Sequence, residues 1–132
     1  MKITFITFWF YEYTIELCNS MSSHCNVNLI LILSKNSEIS PEEIEKSLSP
    51  EVSLLILPFS KIFSFSFFKS HIKIIRALKA FNPDYVHFQS SQIFKIRLLY
   101  PFISSFKFLT TLHDPEPHLG EESSRKKKLS QW

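Results

Sequence analysis

Five apolar runs of strand length recur along this chain, at residues 2–9, 27–33, 52–57, 85–88 and 106–112, and the stretches between them carry helical patterns. That succession leaves few folds open, because strands alternating with helices pair in parallel and are joined by right-handed crossovers. The second run, Val27-Asn28-Leu29-Ile30-Leu31-Ile32-Leu33, is nearly all aliphatic, as a strand covered on both faces must be. Ile15, Leu17, Cys18 and Met21 fall at helical spacings and predict a helix over residues 13–22. Ser40-Pro41-Glu42-Glu43 supplies an N-cap serine, a first-turn proline and early acids, so a short helix is expected up to residue 48. Within residues 61–81, Phe68, Ile72, Ile75 and Leu78 step by four, three and three, and Lys69, Lys73, Arg76 and Lys79 step identically one residue later. The expectation is an amphipathic helix that buries the first stripe and exposes a basic edge. Asn82-Pro83-Asp84 stops it, and residues 91–103 read as the last helix before the fifth strand. The expected fold class is α/β, a Rossmann-like parallel sheet with helices on both faces. One domain over residues 1–132 is expected, because this length buries one core and not two.

Several chemistries are excluded by what the chain lacks. Gly120 is its single glycine. Neither a dinucleotide-binding G-x-G-x-x-G, a phosphate-cradling G-x-x-x-x-G-K-[ST] nor a G-x-S-x-G nucleophile elbow can be written from one glycine. Cys18 and Cys25 on one helix would have Cα atoms about 10 Å apart, too far for a disulfide, so Cys18 reads as a buried thiol in a reducing compartment. No run reaches the roughly 18 apolar residues of a membrane span, because Ser34, Lys61, Lys69, Lys73 and Arg76 interrupt every candidate. Residues 1–10 read as an opening strand and not as a signal peptide. The expected location is therefore cytoplasmic, with peripheral contact at the membrane.

The net charge is +3, and residues 61–107 hold eight Lys or Arg against the single acid Asp84, which predicts one positive flank. Lys69, Lys73, Arg76 and Lys79 read either as a solvated helix face or as a contact for anionic lipid. Nucleic acid is not expected as a partner, since no base-stacking aromatic set alternates with the charges.

Chemistry concentrates in Thr110-Thr111-Leu112-His113-Asp114-Pro115-Glu116-Pro117-His118-Leu119-Gly120-Glu121, behind the fifth strand. Ligands of open parallel sheets bind outside the carboxyl ends of the strands. His113, Asp114, Glu116, His118 and Glu121 are ligand types for zinc or manganese. Pro115 and Pro117, however, keep His113 and His118 off one helix face, and no metal is expected. A proline-bounded loop in which Asp114 caps the next turn is the plain alternative.

The opening strand with Tyr11-Glu12-Tyr13, the phrase Pro83-Asp84-Tyr85-Val86-His87-Phe88-Gln89 and the stretch from Thr111 to Glu121 together resemble the N-terminal, acceptor-side domain of family-four-type GT-B glycosyltransferases. The resemblance runs in order over nearly the whole chain. It implies a parent enzyme that transfers a sugar with retention from a nucleotide-diphosphate sugar to a glycan, lipid or small acceptor. No cofactor is implied, because the nucleotide sugar is a substrate. It also implies a donor-binding C-terminal domain absent here and a cut before the last elements of this one, so that the fragment alone is inactive. His113 matches the histidine that faces the donor sugar, where a hydrogen bond would help the nucleotide depart. Asp114 and His118 follow it in the same loop, and His87 and Gln89 match a strand tip lining the cleft. Tyr11, Glu12 and Tyr13 stand where relatives carry a glycine-rich turn. Glycine there lets phosphates approach helix-start N–H groups, whereas these side chains would fill the space. Glu12 is open to two readings, an acceptor-hydroxyl ligand or a carboxylate favoured by the helix dipole. Two other readings of the chain stay open: a flavodoxin-like α/β binding module without catalysis, and a metal-dependent hydrolase.

Overall fold

A computed structural model describes residues 1–37, 39–61, 63–89 and 98–111. In chain order the elements are β1 (Lys2–Thr7), α1 (Tyr11–Ser22), β2 (Asn26–Leu33), α2 (Pro41–Ser47), β3 (Ser53–Pro58), α3 (Phe65–Phe81), β4 (Tyr85–Phe88), α4 (Tyr100–Ile103) and β5 (Lys107–Thr110). All five strands are parallel, in the order β3-β2-β1-β4-β5. Chain progression therefore reverses beside β1: the chain first moves outward through β2 and β3, then crosses back to β4 and β5. The fold is Rossmann-like α/β, as the sequence pattern predicts.

Strand alternation sorts the core into two layers. Phe5, Val27, Leu29 and Leu31 leave one face of the sheet and meet Ile15 and Cys18 of α1 and Ile44 of α2. Ile6, Ile30, Val86 and Phe88 leave the other and meet Ile74 and Leu78 of α3 and Ile103 of α4. The central position of β1 and β2 explains why their runs are apolar on both sides: each is covered above and below. One pair of buried polar residues is joined across the same strands. Asn28 donates to Thr4 Oγ1 at 3.3 Å, and these two residues are register partners.

Local signals set the helix ends. Ser40 Oγ accepts from Glu43 N at 3.2 Å, while the Glu43 carboxylate accepts from Ser40 N at 2.8 Å, a complete capping box. Those hydrogen bonds hold the Glu43 carboxyl below its ordinary pKa. Ser64 caps α3 by accepting from Phe67 N at 3.1 Å. Asn82 closes α3 in the left-handed conformation, φ 50°, which asparagine tolerates better than most residues.

The buried stripe of α3 is not the expected one. Phe67, Ser70, Ile74 and Leu78 face the sheet, whereas Phe68 and Ile72 are about half exposed, at 50% and 49%. Ile75 packs only at the edge of the core, so of the predicted stripe Leu78 alone is fully buried. Apolar residues occupy two overlapping helical stripes here, and Ser70, a polar residue small enough for close approach to the sheet, hides the true one. The helix also begins at Phe65, four residues later than expected. By contrast α1 begins at Tyr11, two residues earlier than expected, so Tyr11-Glu12-Tyr13 form its first turn. Cys25 lies beyond the end of α1, and both cysteines are free. Burial, with a smaller push from Cys25, raises the Cys18 thiol to about 12, so it stays protonated as the inert core thiol expected. Residues 91–97 of the last predicted helix lie outside the described residues.

Candidate functional site

A strand order that reverses beside β1 puts the crevice expected of such a sheet at the carboxyl ends of β1 and β4, where the chain departs to opposite faces. On the β1 side the chain must turn sharply into α1 without a glycine. Phe10 takes the left-handed conformation, φ 56° and ψ 43°, that glycine adopts at no steric cost. Side chains hold it there. Thr7 Oγ1 donates to Trp9 O and accepts from Trp9 N, and Thr14 Oγ1 donates to Phe10 O at 2.9 Å. The Tyr11 hydroxyl lies between the carbonyl oxygens of Phe8, at 2.8 Å, and Ile32, at 3.0 Å. Its phenol is thus engaged by backbone, and burial raises its pKa against a smaller opposing backbone hydrogen bond at Ser34. The glycine-free turn is built from threonine and tyrosine hydroxyls.

Among the described residues no side-chain hydrogen bond caps the start of α1. Its first turn opens onto a concavity of ≈ 590 Å³ walled by Trp9, Tyr11, Glu12, Tyr13 and the loop after β2, which contributes Ser34, Asn36 and Ser37. That size is within the range of small-molecule sites. Trp9, Phe10 and Tyr13 are each about half exposed, and Glu12 is exposed. The structure therefore brings together three expected site residues, Tyr11, Glu12 and Tyr13. It adds Trp9 and the residues 34–37 loop, which sequence reasoning missed. A polar loop directly after an aliphatic strand was the available signal for the loop. Nothing in the sequence announced a left-handed phenylalanine.

On the β4 side, Gln89 N donates to Ile6 O at 3.0 Å, so Gln89 continues the ladder opposite Thr7. By strand alternation its side chain leaves the sheet on the α1 face, with Tyr85 and His87. Gln89 is completely buried, and among the described residues neither its Oε1 nor its Nε2 has a hydrogen-bond partner. His87 packs on Phe5 with ring centroids 5.1 Å apart, and its Nε2 shares a 2.8 Å hydrogen bond with Thr111 Oγ1. Thr111 N also donates to Phe88 O at 3.0 Å. Two bonds thus anchor the chain at the end of β5, immediately ahead of the stretch of sequence that contains His113. His113, Asp114 and His118 themselves lie outside the described residues, as do Glu116 and Glu121 of the metal reading. Among the described residues no cluster of three or more His, Cys, Asp or Glu is placed to hold a metal ion.

Burial holds the His87 imidazole below its ordinary value of 6.5. A histidine that resists protonation when folded makes the unfolded chain the better proton binder, so stability is full above that ordinary value and falls as pH drops through it. The urea midpoint is expected to fall between pH 7.5 and 5.5 by more in the natural chain than in His87→Gln. Equal falls in the two proteins would remove His87 as the source.

Solved structures share this architecture. The chain superimposes on a glycosyltransferase from Rickettsia africae with a TM-score of 0.64 at 17% identity, over 94% of this chain and 32% of that one. UGT2 of Phytolacca americana, complexed with UDP-2fluoro-glucose and pterostilbene, gives a TM-score of 0.54 at 15% identity, over 83% of this chain and 30% of that one. The C-terminal domain of a hydrogenase from Pyrococcus furiosus gives 0.60 at 13% identity, over 83% of this chain and 90% of that domain. No protein-family model matches the chain, and no curated protein matches it in sequence. The likeness is one of fold: a Rossmann-like unit of the kind glycosyltransferases carry, spanning about a third of the two transferases. Among the described residues no helix is long and apolar enough to cross a membrane.

Proposed function

We propose that this chain forms the acceptor-side wall of a glycosyltransferase cleft, in a parent enzyme moving a sugar with retention from a nucleotide-diphosphate sugar to a glycan, lipid or small acceptor. The observation that carries the reading is the aromatic, Glu-bearing concavity between the turn after β1 and the loop after β2, beside the point where the strand order reverses. The buried amide of Gln89, unpartnered among the described residues, lies at the carboxyl end of the neighbouring β4. The superpositions on two glycosyltransferases support it, as does the sequence resemblance at the end of β5. In this reading Trp9 and Tyr13 offer ring faces for a sugar to lie against, and Glu12 accepts hydrogen bonds from hydroxyls. His113, following the strand end that His87 and Thr111 anchor, hydrogen-bonds the departing side of the donor sugar. Asp114 and His118, close behind it in sequence, are further polar groups of this reading, and Gln89 supplies an amide at the carboxyl end of β4. Catalysis needs the second, donor-binding wall, so turnover belongs to the two-walled enzyme.

A second reading, a non-catalytic α/β binding module, is favoured by one observation: the chain covers 90% of the hydrogenase domain, a unit of the same size. Saturation-transfer NMR separates the two. The purified chain is titrated with UDP-glucose, GDP-mannose, short glycans, NAD and a flavin. Signals from sugar and glycan protons are expected, reduced several-fold in Glu12→Gln and in His113→Ala. Signals from the flavin or NAD alone would establish the binding module instead.

A further inference from the structure

The corrected face of α3 leaves an apolar surface that the described residues do not cover. Phe65 and Phe68, at 76% and 50% exposure, and Ile72 point outward along the first two turns, and Phe63 in the preceding loop is 68% exposed. Such a cluster is unusual on a soluble surface and marks an interaction site. Its charge is one-sided. Residues 59–83 hold Lys61, Lys69, Lys73, Arg76 and Lys79 and no Asp or Glu, and all five cations are exposed. Lys69 Nζ sits 4.6 Å from the centre of the Phe65 ring, so cation and ring occupy one spot on the surface. The neighbouring α4 presents Tyr100 and Phe102, more than half exposed, in the same layer of the molecule.

We infer that the loop–α3 corner of the molecule is an anionic-membrane docking surface, with Phe63, Phe65, Phe68 and Ile72 entering the headgroup boundary and Lys61, Lys69 and Lys73 binding lipid phosphates beside them. The geometry fits a helix lying in the interface plane: one face is buried in the protein, the opposite face carries aromatics, and cations flank it. Long lysine stems let the charge stay at phosphate level while the rings go deeper. A second copy of this chain is disfavoured as occupant, because a symmetric contact would press the same five cations against one another. Both the apolar and the basic parts face outward together, which a solvated helix face does not require. The inference is independent of the transferase reading, since the corner makes no use of the crevice residues.

Co-sedimentation of the full 132-residue chain with vesicles tests it. Binding is expected to equimolar phosphatidylcholine–phosphatidylglycerol vesicles, about tenfold tighter than to phosphatidylcholine alone, and weakened by about 0.5 M salt. Phe65→Ser with Phe68→Ser is expected to lower affinity about tenfold, and Lys69→Gln with Lys73→Gln by a similar factor. All four positions are exposed, so the urea midpoints should stay close to that of the natural chain. If the phenylalanine pair unfolds, Phe65→Ser alone serves. The proposal is overturned if the natural chain remains in the supernatant with anionic vesicles, if the phenylalanine variant binds as tightly as the natural chain, or if polyglutamate competes as well as vesicles do. The last result would assign the surface to an acidic protein.

Discussion

Leu78→Ala is expected to destabilise the chain by about 3 kcal/mol, within the range for leucine truncations in close-packed cores. Leu78 is fully buried on α3, in the layer built from Ile6, Ile30, Val86 and Phe88. It sits one turn beyond Ile74 along the stripe that fastens the crossover helix to the middle of the sheet. The cost has two parts: the transfer free energy of the lost methyl groups and the cavity that strands β1, β2 and β4 cannot collapse to fill. The same truncation at Ile72, about half exposed one turn and a half earlier, should cost no more than about 0.5 kcal/mol. Urea unfolding of the two variants reads this difference directly. Equal costs would place Ile72 in the core and restore the stripe that the periodicity alone suggests.

The α3 case shows what kind of information the sequence carries. All five strands were legible because β-branched and aliphatic residues cluster there at strand length, and parallel pairing followed from the helical stretches between them. Ser40-Pro41-Glu42-Glu43 was legible because capping is local chemistry, complete within four residues. The rotation of α3 was not, because two apolar stripes overlap and only the sheet beneath decides between them. At the turn after β1, Tyr11, Glu12 and Tyr13 were singled out by the resemblance and not by any pattern in the residues themselves. The means by which the chain turns there could not be read at all. The left-handed Phe10 is braced by short-range bonds, from the Thr7 hydroxyl to Trp9 O and from the Thr14 hydroxyl to Phe10 O, which leave no mark in periodicity or composition. Trp9 and the residues 34–37 loop become neighbours only when β1 and β2 pair, which placed them beyond a reading made segment by segment.

Gln89→Leu is expected to stabilise the chain by about 2 kcal/mol, the reverse of what most substitutions at a fully buried position do. Burying an amide without hydrogen bonds forfeits its solvation, and leucine fills a similar volume with no polar atom to desolvate. The backbone would be undisturbed, because Gln89 is held opposite Thr7 through its own N–H to Ile6 O. An unsatisfied amide costs stability wherever it stands, and here it stands at the one place in a parallel sheet where a ligand is expected. Sites that bind are where local rules of good packing are broken. The two readouts must therefore move in opposite directions: a higher urea midpoint and a weaker saturation-transfer signal from sugars. A variant that is stabilised and still binds would make Gln89 a packing flaw beside the site. A variant destabilised by about 1 kcal/mol or more would mean that the amide is hydrogen-bonded in solution, and its proposed role in binding would fall.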